Sequence, residues 1–150
     1  MKKRKVFAAI FILLCVFVLV YPYIYPIFMP SMQWAKNLKV EEIKKAELFQ
    51  FPAPENKPYS IILPENYERL CNIINNSKGK FIYSPKELSG GFTTIYITDS
   101  DGEVHKVSNI GNCYLVIDGD YFSPGYKNLS LWDNENILKG TAPAPENFQY

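Results

Sequence analysis

The run VFAAIFILLCVFVLVYPYIYPIFM, Val6 to Met29, carries no charged side chain and directly follows Lys2, Lys3, Arg4 and Lys5. No other feature restricts the chain so strongly. At a helical rise of about 1.5 Å per residue, the stretch to Val20 reaches about 22 Å and the stretch to Met29 about 36 Å, so only the longer one crosses a hydrocarbon layer of about 30 Å. Tyr21, Tyr23 and Tyr25 then fall where an interfacial aromatic belt would lie, and Pro22, Pro26 and Pro30 loosen the helix as it leaves the bilayer.

A secretory leader begins in the same way, but its cleavage needs small residues one and three positions before the cut. Met29 and Pro30 precede Ser31, and Gln33 and Trp34 precede Ala35. Neither pair suits a signal peptidase. Cys15 follows Leu13 and Leu14 in mid-run, which is not a lipoprotein site. The expectation is an uncleaved, single-pass signal anchor from Val6 to Met29. The positive-inside rule puts Lys2 to Lys5 in the cytoplasm and everything after the anchor in an extracytoplasmic compartment.

The formal net charge of +1 conceals an asymmetry. Of 16 Lys and Arg, four stand ahead of the apolar run, which leaves 12 against 15 Asp and Glu for the remainder, a balance of about −3. Such a body lacks the basic footprint of a nucleic-acid binder, so nucleic acid is set aside as a partner.

Beyond the anchor, Ser31 to Lys44 reads as a juxtamembrane connector, with a helical turn at Val40 to Lys44. Ala46, Leu48 and Gln50 alternate with Glu47, Phe49 and Phe51 as in a strand, and PAPENKP at 52–58 stops it. YSIILP is a short strand. In PENYERLCNIINNSKGK, Tyr67, Leu70, Cys71 and Ile74 keep the i, i+3, i+4, i+7 spacing of an amphipathic helix, with Pro64 in its first turn and Gly79 at its exit. KFIYS, GFTTIYITD, EVHKVS and CYLVI then alternate as strands between the turns DSDG and NIGN. DGDYFSPGY reads as a turn with an edge strand. The fold class is therefore α+β: a transmembrane helix, then a small domain with an antiparallel β-meander and one packed amphipathic helix.

Candidate chemistry is sparse. In ITDSDGE, Asp99 and Asp101 would fill two positions of an EF-hand loop, but Ile97 and Ser108 occupy two of the determining ligand positions. Asp-Gly between β-type runs is a hairpin bend, and the expectation is no metal. His105 is the only histidine, too few for a zinc constellation. A cell-envelope hydrolase using His105 or the pair Asp118 and Asp120 is the alternative reading, although "DGD" is also turn chemistry. No cofactor motif occurs. Tyr114, Tyr121, Phe122, Tyr126 and Trp132, near Asn112 and Asn128, form an aromatic group that could bind a ligand or complete a core. Cys71 and Cys113, in an oxidising compartment, are either a disulfide pair or two separate thiols.

IYITDSDGEVHKVSNIGNCYLVIDGDYFS resembles small exported domains of Gram-positive bacteria, in which a hydrophobic amino-terminal segment precedes a compact α+β domain with a D-x-D-G hairpin and a late I-D-G-x-Y strand. The likeness covers about Glu41 to Phe122. It implies a fold and a location, and no functional residue. The expected organisation is an anchor at 1–30, a connector at 31–44, an extracytoplasmic domain at 45–140 and a Pro-rich tail at 141–150. The expected role is binding or assembly at the cell surface with a glycan, peptide or membrane-protein partner.

Overall fold

A computed structural model describes residues 2–52, 58–86, 90–111 and 113–124. Its first element, α1 (Lys2–Ile24), continues through Pro22, and a 3-10 turn at Tyr25–Phe28 follows. The 23 residues from Val6 to Phe28 are long and apolar enough to cross a membrane, and no residue of α1 from Val6 onward is buried, whereas Pro26 in the 3-10 turn is. The body is an antiparallel seven-stranded sheet formed by β1 (Ile43–Phe51), β2 (Tyr59–Ile62), β3 (Lys80–Phe81), β4 (Phe92–Asp99), β5 (Val104–Ile110), β6 (Tyr114–Ile117) and β7 (Asp120–Ser123). Two further helices are α2 (Pro30–Asn37) and α3 (Tyr67–Asn75).

The spatial order is β2-β1-β4-β5-β6-β7-β3, so β4 to β6 run as the expected meander and continue into β7, β1 with β2 extends it beside β4, and β3, the strand of KFIYS, does not lie beside β4. β7 is not the edge. The two-residue β3 pairs outside it, Lys80 with Ser123 and Phe81 with Phe122.

Directly paired residues share a face of the sheet, so the register separates inside from outside. Leu48, Ile95, Val107 and Ile117 lie in one row across four strands, with Ala46 and Ile97 in the next. All six are essentially inaccessible, and Leu70 and Ile74 of α3 join them in one core. The helix–sheet packing expected from the two periodicities is therefore present. The opposite face carries Phe49 with Tyr59 and Phe92, and Tyr114 with Tyr121, around the buried hydrogen bond between Thr94 and Ser108.

Residues 31–44 are not a connector, and the domain does not begin at residue 45. Met32, Ala35 and Leu38 are almost fully buried in the same core as α3. The cause is local: Met29 is extended, Pro30 occupies the first helical turn where its missing N–H is not needed, and Met32 and Ala35 lie three apart on one face. Asn75 Nδ2 donates to the Leu38 carbonyl at 3.1 Å and ties α3 to the end of α2. After a short 3-10 turn at Val40–Glu42 the chain enters β1 at Ile43.

Candidate functional site

The Asp-Gly bend between β4 and β5 is built as a turn. Asp99 Oδ1 accepts the amides of Asp101 at 3.0 Å and Glu103 at 2.8 Å, and Gly102 takes a positive φ of 88°. The second bend, at Asp118-Gly119, uses the same device across strands. Asp118 Oδ1 accepts the Lys106 amide at 2.7 Å, its own amide donates to the Lys106 carbonyl, and both Asp118 and Gly119 have positive φ. These two bends bring their carboxylates to His105 on β5.

His105 Nδ1 lies 2.8 Å from Asp118 Oδ2 and its Nε2 lies 4.0 Å from Asp99 Oδ2. The ring is stacked under Trp34 of α2, with centroids 3.9 Å apart. One turn earlier on α2, Ser31 Oγ donates to Asp120 Oδ2 at 2.6 Å. Ser31 and Trp34 thus fasten α2 to the start of β7 and the start of β5. Sequence reasoning placed both in a connector and missed them, although their i, i+3 spacing was visible.

Donor atoms of Asp99, Glu103 and His105 fall within 4.8 Å of one another, so these three could hold a metal ion. Glu103 is exposed and one Asp99 oxygen is already committed to the bend. Among the described residues, the His105–Asp118 pair is set differently from a hydrolytic one. A catalytic His–Asp pair presents its second nitrogen to a nucleophile, whereas Nε2 of His105 faces another carboxylate and the Ser31 hydroxyl is bonded to Asp120.

The aromatic group expected from sequence is divided by strand alternation. Tyr114 and Tyr121 meet edge to face at 6.3 Å on the outer face. Phe122 points the other way and is fully buried, so it is a core residue rather than a ligand-contacting one. Tyr126, Trp132, Asn128 and Asn112 lie outside the described residues. Cys71 is buried on α3 and Cys113 is exposed before β6, and both are free. Burial raises the Cys71 thiol above its ordinary value, and the charges of Glu41 and Glu42 add to the effect.

A second constellation joins the apolar helix to the body. Tyr21 stacks on Tyr25 at 4.9 Å, Tyr25 meets Phe81 edge to face at 5.0 Å, and Phe81 in turn meets the buried Phe122. Lys80 Nζ lies 5.4 Å from the centre of the Tyr23 ring. Gly79 is required here because a Cβ would come within 2.6 Å of Phe122 Cβ. Aromatic contact therefore runs from the end of α1 through β3 into the core. No family model, curated protein or solved structure matches the chain.

Proposed function

We propose that the chain is a membrane-anchored, extracytoplasmic domain that binds or assembles with a partner at the bacterial cell surface. The observation that carries this reading is the junction at Tyr25 to Leu38. A bare apolar helix passes into the hydrophobic core within a few residues, because Pro26, Met29, Met32, Ala35 and Leu38 are all buried. A segment removed by signal peptidase must lie accessible and extended at its cut, whereas here the residues after the apolar run are folded into the body. The anchor reading accounts for this, since a helix that stays attached can serve as part of the fold. The four basic residues ahead of it favour a cytoplasmic amino terminus.

The partner is a cell-surface glycan, peptide or membrane protein, met on the outer sheet face that Tyr114 and Tyr121 share. Topology is tested with a membrane-impermeant maleimide on intact cells. Cys113 is exposed and Cys71 is not, so the account predicts labelling that disappears in Cys113→Ser. Labelling of Cys113 only after the membrane is opened would overturn the orientation.

A further inference from the structure

We propose that the β3 segment, residues 77–86, is a contact site for anionic phospholipid headgroups of the membrane that holds α1. The proposal rests on the anchor reading above. In SKGKFIYSPK there are three lysines and no acid, although the chain beyond its first five residues is net negative. Lys78, Lys80 and Lys86 are all exposed. Tyr83 is 93% exposed, an unusual position for an aromatic ring in water but an ordinary one at headgroup level, where its apolar body and polar tip meet different surroundings.

The location of this segment is fixed by contacts with the anchor. Lys80 reaches the Tyr23 ring and Phe81 touches Tyr25, so β3 is joined to the last turn of the apolar helix and to the 3-10 turn after it. The apolar stretch from Val6 to Phe28 spans about 34 Å at helical rise, slightly more than a hydrocarbon core, so Tyr23 and Tyr25 come to the headgroup layer. A lysine held against Tyr23 is then within about 8 Å, a Debye length at physiological salt, of the lipid phosphates. Lysines at that depth extend their ammonium groups to the phosphates and keep their stems along apolar surface. Ile27 and Phe28, more than half exposed, continue the interfacial surface beside them.

Sequence order alone does not suggest this pairing, because Lys80 lies 57 positions after Tyr23. It follows from β3 adding outside β7 and next to α1. The lipid contact would set the tilt of the whole sheet relative to the bilayer, since β3 is hydrogen-bonded to β7 and Phe81 packs on Phe122.

The test uses the full chain in nanodiscs of phosphatidylcholine, or of phosphatidylcholine mixed with phosphatidylglycerol. Amide hydrogen exchange of residues 79–86 is read by mass spectrometry. The proposal predicts slowing of about fivefold or more in the anionic discs, on the scale expected when even one lysine contact is gained. High salt should remove the effect. The combined change Lys78→Gln, Lys80→Gln and Lys86→Gln should also remove it, while exchange in β4 and β5 stays unchanged and reports an intact fold. Free glycerophosphate added to phosphatidylcholine discs should not reproduce it. Incorporation is checked by co-elution of chain and disc. A chain that incorporates but exchanges equally in both lipids overturns the headgroup contact and leaves the anchor standing. A chain that incorporates in neither overturns both.

Discussion

The indole of Trp34 lies on the imidazole of His105 with the two planes 18° apart, and the same imidazole is held from its edge by Asp118. A residue of α2 is therefore coupled to a turn between β6 and β7 through a side chain of β5. Trp34→Ala should cost about 2–3 kcal/mol, less than a fully buried tryptophan because the ring is half-buried. A double-mutant cycle with His105→Ala, read by urea unfolding of the full chain in detergent, should return a coupling of about 0.5–1.5 kcal/mol. Purely additive losses would mean that the stack contributes nothing beyond its area.

The reassignment of residues 31–44 has a direct energetic consequence. Met32 is 1% exposed and one position of α2 away from the exposed Gln33. Met32→Ala should destabilise by about 2–5 kcal/mol, as should Leu70→Ala on α3, because each leaves a cavity in the shared core. Lys36→Ala and Asn72→Ala, both on exposed faces, should cost about 0.5 kcal/mol or less. Equal losses at Met32 and Lys36 would show that α2 does not pack as described.

The contrast between α2 and α3 indicates how much the sequence discloses. Helix α3 and strands β4 to β6 were legible because each carries several periods of its own pattern and is bounded by turn residues. Helix α2 has eight residues between Pro30 and Leu38, so Met32 and Ala35 supply barely one period. The hairpin at Asp99 to Gly102 was legible from Asp-Gly alone. The meeting of Asp99, Asp118 and His105 was not, because it depends on two separate turns emerging at the same end of the sheet. The division of Tyr121 from Phe122 follows from strand alternation, but only once both are known to lie on β7. β3 was legible as a strand in KFIYS, but its place outside β7 had no local signal.

Stability should fall as pH rises through the alkaline range. Burial raises the Tyr67 hydroxyl above its ordinary 10.0, partly offset by its hydrogen bond to the Ala46 backbone and by Lys45, and raises the Cys71 thiol above its ordinary 9.0. For an acid whose folded-state value is raised, the stabilisation is complete below the unfolded value and disappears as pH passes through the folded one. The unfolding midpoint in urea should therefore be constant with respect to these two groups below pH 9 and decline above it. Cys71→Ser should shift the onset of the decline towards the tyrosine range. A midpoint that rose above pH 9 would contradict this assignment.

Calcium should leave the protein unchanged. Asp99 holds the β4–β5 bend through two backbone amides without help, so the carboxylate has a structural role that needs no ion. In the full chain, millimolar calcium is expected to leave Tm within error. A bound ion at a hundred times its Kd would stabilise by about 2.7 kcal/mol, a shift readily seen. A clear rise in Tm, removed by Glu103→Gln, would contradict this and establish Glu103 as a ligand.

The central claim is that the apolar helix remains attached and holds the folded body at a membrane. Membrane fractionation followed by intact-mass analysis of the extracted chain tests it most directly. The account predicts one species in the membrane fraction, resistant to carbonate extraction, with the mass of a chain that still contains Val6 to Met29. A soluble species lacking those residues would contradict it.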